Sequence, residues 1–335
     1  MWRSLICSCL ELSSHKLVWS SSPSYHPIQV HSRPFQFPSI TSHGICIYDN
    51  FARFVIADLL DDPCFLPMQS APPGGLLHFI DKTQPSDINL HSNTNLSMQD
   101  IAATLSILKY LPEDIDTTCM GLSVLYKFGK VGMDTINVVL DKVLEEHVCD
   151  VDNILQTYFD AERPRIDPVV ITNALFLFHL AGRGQQVLRS QTFVEDLLLH
   201  KGYEGGTLYY ASGEAFLFHV ARLVNAFPDW FAGTGMRDLL VKRLMEHEIT
   251  FEVTAQSEPS NNCLALAMYL SARLLSGLHT ATTYLHQLLG FQKENGSWGF
   301  HPYYHLGVDR KIWLGNQGVT TAFVLLALTK HSVRS

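Results

Sequence analysis

Two kinds of helix-forming segment alternate along most of this chain, and that alternation restricts the available folds more than any other feature. Segments of the first kind are apolar nearly all round. Examples are Val169-Val170-Ile171 with Ala174-Leu175-Phe176-Leu177-Phe178, Leu264-Ala265-Leu266-Ala267-Met268-Tyr269-Leu270, and Val319-Thr320-Thr321-Ala322-Phe323-Val324-Leu325-Leu326. A helix without a wet face is buried on every side. Segments of the second kind, such as residues 237–246, carry one dry face and one wet face. The apolar segments open near residues 116, 167, 212, 260 and 316, in steps of 51, 45, 48 and 56. Each opens on a helix-capping type, in order Asp, Asp, Ser, Ser and Asn. Pro168 follows Asp167 at the first helical position, where its missing N–H costs nothing. A repeat of about 50 residues, one inner and one outer helix each, describes an array of helical hairpins.

Twelve helices are expected, over residues 49–60, 97–111, 116–129, 133–147, 151–162, 167–182, 188–200, 212–227, 235–247, 260–277, 280–290 and 316–330. Residues 63–94, rich in Pro, Gly, Ser and Asn, read as a long loop. The expected fold class is all-α. Six hairpins can close into a ring, the (α/α)6 barrel, and an open solenoid is the alternative. The ring is preferred because a solenoid helix usually keeps one exposed edge. Inner helices of a ring run parallel, so their N-terminal ends meet at one mouth. That mouth would collect Asp114, Asp116, Asp167, Glu214, Asn261, Asn262, Asn316 and Gln317. Residues 1–47 hold 11 Ser and a single acidic residue, Glu11, and are expected to form a leader without a stable core. Residues 48–335 are expected to form one domain.

Composition excludes several roles. Charged residues make up only 17% against 47% apolar, so much of the chain faces other parts of itself. The balance is acidic, net −8, with no Lys/Arg stripe, which argues against nucleic acid as a partner. No apolar run approaches the ~18 residues of a membrane span. Seven scattered cysteines without a CxxC pair write neither a disulfide framework nor a zinc knuckle. A reduced, cytoplasmic setting is the expectation.

The sharpest local signal is Asp114-Ile115-Asp116-Thr117-Thr118 at the head of an inner helix. Two carboxylates this close raise one another's pKa, and one of them can stay protonated near neutral pH. The plainer reading is an Asp cap with a second, solvated Asp. The second signal is Gln292-Lys293-Glu294-Asn295-Gly296-Ser297-Trp298, which fits QxxxGxW. Its Gln is expected to bond the end of a neighbouring helix while Trp298 stacks between hairpins and Gly296 allows the turn.

Together these motifs resemble class II terpene cyclases, relatives of the squalene–hopene and oxidosqualene cyclases. The DxDTT form looks most like the cyclase part of fungal drimane-type sesquiterpene synthases. The resemblance covers roughly residues 48–330, and Thr117 stands where the wider DxDD motif has its third Asp. It implies an intramolecular cyclase, an isomerase or lyase of terpenoid secondary metabolism. Asp116 would be the proton donor and Asp114 its partner, with Thr117 and Thr118 hydrogen-bonding the pair. Protonation would require no cofactor. In the drimane-type enzymes a phosphatase domain precedes the cyclase; none is read here, so the expected product of farnesyl diphosphate is bicyclic, drimane-like and still diphosphorylated. A separate phosphatase would act next.

Protonating an alkene demands a water-free acid and walls that tolerate a cation. The aromatic candidates are Phe176, Phe178, Phe216, Phe218, Trp298, Trp313 and Tyr304, although aromatics on buried helices are mostly core. Cationic candidates for the diphosphate are Arg163 and Arg165, before the inner helix at Asp167, and Arg310 and Lys311, before that at Asn316. Mg²⁺ could screen the diphosphate, although no dedicated cage is visible and no metal ligand is assigned. The nearest match to the Asp-rich motif of ionisation-type cyclases, Asp61-Asp62-Pro63-Cys64-Phe65, lacks its last Asp and reads as a helix end.

Three rival readings stay open at this level. DxDxT is also the nucleophile motif of haloacid-dehalogenase phosphatases, but there it follows a β-strand. Prenyltransferases use similar rings with zinc held by Asp, Cys and His. A helical ring or solenoid could also bind a partner without catalysis.

Overall fold

The computed structural model describes residues 39–41, 46–47, 49–67, 77, 106, 111–149, 152–257, 262–294, 296–306 and 312–332. Ten helices are labelled below: α1 (Asn50–Leu60), α2 (Ile115–Lys127), α3 (Met133–Glu146), α4 (Pro168–Leu180), α5 (Leu188–His200), α6 (Gly213–Ala226), α7 (Met236–Ser257), α8 (Cys263–Leu275), α9 (Thr282–Gly290) and α10 (Gln317–Ser332). Four strands, β1 (Ser39–Thr41), β2 (Cys46–Ile47), β3 (Pro302–Leu306) and β4 (Ile312–Gly315), make one antiparallel sheet in the order β2-β1-β4-β3.

The apolar segments form the inner layer. Helix α1 packs on α2, α2 on α4, α4 on α6, α6 on α8, α8 on α10, and α10 returns to α1. These six helices therefore close on themselves. The amphipathic segments lie outside: α3 on α2, α5 on α4, α7 on α6, and α9 on α8. Burial follows the sequence pattern. In α8 every residue from Cys263 to Leu274 is buried, whereas α3 buries only Ile136, Val139, Leu140 and Val143. That narrow stripe, one residue per turn or so, is what a helix with one dry face presents.

Each inner helix needs its first N–H groups satisfied. Asp49 accepts from Ala52, Asp114 from Thr117, Asp167 from Val169 and Val170, Asn262 from Ala265, and Asn316 from Val319. These side-chain caps start five of the six inner helices. Helix α6 departs, because Ser212, the capping type expected there, makes no side-chain cap hydrogen bond. Helix α8 is capped by Asn262 rather than by Ser260, which lies outside the described residues. The sheet ties two of these starts together. Ser39 on β1 donates to Asp49 at 2.7 Å and accepts from Asn316 at 3.1 Å.

The sheet is the main departure from the all-α expectation. Its strands are two to five residues long, too short to show alternation, and two of them fall within residues 1–47. The β3–β4 register shifts between Pro302 and Tyr304, and Tyr303 and Tyr304 are both buried although they are neighbours. An irregularity of this kind re-aims a side chain that regular alternation would send outward. Residues 152–162 are also not the expected helix. Asn153 is left-handed at φ 54°, and the segment runs extended instead, with Ile115 N–H bonded to Thr157 and Phe159 N–H to Glu113. The expected helix over 97–111 lies outside the described residues apart from Ser106 and Leu111, as does most of the expected loop over 63–94. Asp61 is the left-handed C-cap of α1 and Asp62 caps the following short turn, which is the helix end that the sequence suggested.

Candidate active site

Asp114 caps α2, its Oδ1 accepting the Thr117 amide at 2.6 Å. That fixes the first turn, and Asp116 on that turn points into the interior. Its Oδ1 accepts from Asn173 Nδ2 on α4 at 2.8 Å, and its Oδ2 lies 2.5 Å from the Tyr210 hydroxyl, just before α6. Behind Asn173 the chain of contacts continues. His219 Nδ1 lies 2.9 Å from Asn173 Oδ1, and His219 Nε2 lies 3.2 Å from the Tyr303 hydroxyl. All six side chains are buried.

Burial dominates the electrostatics here. It lifts Asp116 well above the usual carboxylate range, and the neighbouring charges of Asp114 and Asp167 push the same way, against the Tyr210 and Asn173 donors. Burial brings Asp114 to about 7 despite the Thr117 bonds, and Asp49 to about 6. Asp167 is raised as well, mainly by burial. Burial, reinforced by Arg222, pushes His219 down to about 3, so its ring is neutral near pH 7. Burial thus favours the un-ionised form of Asp116, while two hydrogen-bond donors are aimed at its oxygens. The two influences oppose each other: burial favours the protonated form, and the two donors favour the carboxylate.

Asp114 and Asp116 face a cavity of about 40 Å³. Leu111, Pro112, Val170 and Leu306 give it apolar walls, and Thr157, Tyr158, Tyr209, Tyr304 and His305 complete the lining. Tyr158 and Tyr209 meet edge to face, 5.8 Å between ring centres, at the partly exposed rim.

Of the aromatic side chains singled out in the sequence, Tyr304 lines this cavity. Phe178 is core, Phe216 stacks on Tyr203, and Phe218 meets Phe323 edge to face. Phe176 lies under the Arg222 guanidinium, 3.8 Å from its ring centre. Trp313, on β4, is 38% exposed. Trp298 is buried and donates its indole N–H to Leu288 in the last turn of α9 at 2.6 Å. In the QxxxGxW motif the tryptophan thus binds the helix end, whereas Gln292 bonds Gly296 within its own turn at 2.9 Å. The turn brings Gln292 back onto its own backbone, with Gly296 at φ 81°.

Thr117 serves Asp114 through its amide, but the Thr118 hydroxyl turns away from the pair and bonds the backbone of Leu77. Glu214 also leaves the mouth: it pairs with His247 on α7 at 2.9 Å. Arg163 and Arg165 are exposed beside the rim, close enough to oppose slightly the upward shift that burial gives Tyr158 and Tyr209 respectively, and Arg163 also meets Asp160 at 3.2 Å. Arg310 and Lys311 lie outside the described residues, as does Asn261. Among the described residues no three His, Cys, Asp or Glu side chains are grouped as a metal site, and no helix is long and apolar enough to cross a membrane. The DxDTT motif is helical from Ile115 and follows no described strand directly, unlike a phosphatase nucleophile.

Sequence reasoning did not single out Asn173, Tyr210, His219 or Tyr303. A signal existed for two of them. Asn173 and His219 each interrupt the buried apolar run of an inner helix, and a polar group buried there needs a partner.

Residues 30–181, which include the DxDTT motif and Asn173, match the model of the sesquiterpene cyclase astC-like C-terminal domain family. The chain is 31% identical to the drimenol cyclase drtB of Aspergillus calidoustus over 297 residues, which is 89% of this chain and 49% of that protein. It thus spans about half the length of that relative. Among solved structures it is similar to the type II terpene cyclase MstE from Scytonema, determined with geranylgeranyl dihydroxybenzoate as substrate. There the TM-score is 0.58 at 14% identity, over 87% of this chain and 89% of that one. The apo MstE structure gives 0.57 at 14% identity, over 87% and 90%. A protein from Actinoplanes gives 0.53 at 15%, over 86% and 91%. At these identities the solved structures speak for the fold alone.

Proposed function

From its kinship with the class II terpene cyclases, we propose that this chain is a protonation-initiated cyclase of a prenyl diphosphate, built as an (α/α)6 barrel. The carrying observation is Asp116: a buried carboxyl, its pKa raised by burial, held by Tyr210 and Asn173 at the wall of a largely apolar cavity.

The reaction follows from that geometry. Asp116 transfers its proton to the terminal double bond, whose π electrons form the new C–H bond and leave a tertiary cation. The second double bond attacks that cation and the third attacks the cation that results, so that two rings close. A proton lost to solvent from the carbon beside the last cation restores an alkene and ends the cascade, and Asp116 takes up a proton again before the next turnover. Asp114, its pKa raised by burial to about 7, is only partly ionised near neutral pH, and what charge it carries raises the pKa of Asp116 and favours its protonated form. The cavity receives the terminal double bond, and the remaining isoprene units need the Tyr158–Tyr209 rim to part. Arg163 and Arg165 lie where an anionic head group would emerge, with Mg²⁺ as a further screen for its charge. Tyr158, Tyr209 and Tyr304 supply the aromatic surface for the cation.

Farnesyl diphosphate is the substrate we favour, with a bicyclic drimane-type product that keeps its diphosphate. The resemblance to drimenol cyclase supports the drimane skeleton, whereas retention of the diphosphate is what the treatment below tests. The test is to incubate purified protein with C15 and C20 prenyl diphosphates, treat with phosphatase and analyse the alcohols by mass spectrometry. A bicyclic C15 alcohol appearing only after phosphatase treatment is the expected result. Asp116→Asn should fold normally and give linear alcohol alone. Normal cyclisation by Asp116→Asn would remove it as the donor.

A further inference from the structure

An amide side chain can present either its oxygen or its nitrogen to a neighbour, and the difference matters beside an acid. Were Asn173 to turn its oxygen toward Asp116, it would favour the protonated acid and oppose loss of the proton. Turned the other way, its N–H stabilises the carboxylate and makes Asp116 a stronger donor. Asn173 Oδ1 and Nδ2 are both engaged, with His219 and Asp116 respectively. The orientation is therefore decided one residue further back.

We infer that His219, which does not touch Asp116, is the positioning residue that sets the acidity of Asp116 through Asn173. A neutral imidazole has one donor and one acceptor nitrogen. With the Tyr303 hydroxyl donating to Nε2, the ring proton sits on Nδ1 and donates to Asn173 Oδ1. The Asn173 N–H then has one partner left, Asp116 Oδ1. Three contacts of 3.2, 2.9 and 2.8 Å thus transmit a tautomer to a carboxyl group. The surroundings keep His219 neutral. It is 1% exposed, and the Arg222 cation on its own helix opposes a second positive charge more strongly than Asp58 favours one. Around Asp116 the other titratable groups are Asp114, Asp167, Cys119, Tyr210, Tyr303 and Tyr304, none of which contacts Asn173 by hydrogen bond among the described contacts.

The idea rests on Asp116 as the proton donor, yet it can be read without substrate. An infrared difference spectrum of wild type against Asp116→Asn isolates the carboxylic-acid stretch of Asp116, which is then titrated with pH. Asn at position 219 places its amide nitrogen where Nδ1 was, whereas Gln reaches only the Nε2 position. His219→Asn should keep the titration midpoint, while His219→Gln and His219→Leu should raise it by about one pH unit, because the carboxylate loses a fixed donor. Tyr303→Phe should shift it in the same direction. Turnover should follow, with kcat down about tenfold in the Gln and Leu variants, KM unchanged and the alkaline limb of the pH profile moved upward by the same amount. If His219→Leu does not fold, the Asn and Gln pair decides. Equal midpoints in all variants, or rescue by Gln as good as by Asn, overturn the inference. A wild type that cyclises no prenyl diphosphate would sink the proposed function instead, and the infrared titration would still decide the relay.

Discussion

The Tyr210 hydroxyl and Asp116 Oδ2 lie 2.5 Å apart across 94 residues of chain. Tyr210 sits in the loop that precedes α6, where Thr207 and an isolated bridge to Tyr304 hold its backbone. The contact therefore depends on the ring closing correctly. A hydrogen bond to a group that becomes charged contributes about 1.5–3 kcal/mol. Tyr210→Phe keeps the ring and its edge contacts with Tyr303 and Tyr304 while removing that donor. The expected outcome is a loss of about 10–100-fold in kcat with little change in melting temperature, measured as cyclised product per enzyme. Unchanged kcat would mean that Tyr210 only packs.

How much of this was readable beforehand depended on whether a residue's role is local. Helix starts are local: a capping side chain and the apolar run after it lie in one stretch, so the inner starts at Asp114, Asp167 and Asn316 could be placed. Asp114 and Asp116 were legible for the same reason. Tyr210 and His219 owe their roles to partners about 50 to 100 residues away, which no spacing records. The aromatic candidates were harder to place, although Tyr304 does line the cavity. On a helix that is apolar all round, such as α4, the sequence does not say which side faces a cavity, and Phe176 and Phe178 proved to face the Arg222 guanidinium and the core. Residues 152–162 misled because scattered apolar residues suit both a helix and an extended segment, and the left-handed Asn153 decided against the helix.

Arg163 and Arg165 should affect binding more than chemistry. Both are exposed and lie beside the rim tyrosines rather than the buried acid. Exposed charges interact weakly and are screened by salt, each contributing about 1 kcal/mol or less. Replacing both with Ala should raise KM for a prenyl diphosphate by about 3–10-fold, leave kcat within about twofold, and flatten the salt dependence of KM. A fall in kcat with constant KM would place the head group elsewhere.

Asp58 and Arg222 form an ion pair of 2.9 Å between α1 and α6, three places apart in the closed order of inner helices. Lys127 on α2 joins Asp58 at 3.1 Å. Burial alone would raise the Asp58 pKa, but the two cations outweigh it and hold the group ionised. Arg222→Met strands a mostly buried carboxylate with only a half-exposed lysine beside it. The expected destabilisation is about 2–3 kcal/mol, below the usual cost for a fully buried pair because Lys127 remains. Adding Asp58→Asn should recover more than half of it. Urea denaturation of the two single variants and the double variant measures the coupling, and additive losses would show that the pair is not coupled.

Asp114 illustrates what keeping an acid in a dry site does to stability. Its pKa is 3.8 in an unfolded chain and about 7 in the fold. Between those values the folded state binds more protons than the unfolded state, so stability falls as pH rises from about 4 to about 7 and is level above that. At 1.36 kcal/mol per unit this amounts to at most about 4 kcal/mol. Asp49, at about 6, adds a smaller loss of the same sign. His219 acts oppositely: its fold value of about 3 removes stability as pH falls below 6.5. Asp114→Asn keeps an oxygen for the Thr117 amide, so the helix cap survives while the titration disappears. The variant should match wild type in thermal stability at pH 4.5 and exceed it by a few kcal/mol at pH 8, while losing cyclase activity. Equal stability at both pH values would mean that Asp114 is solvated enough to ionise freely, and with it the dry mouth on which Asp116 depends would go.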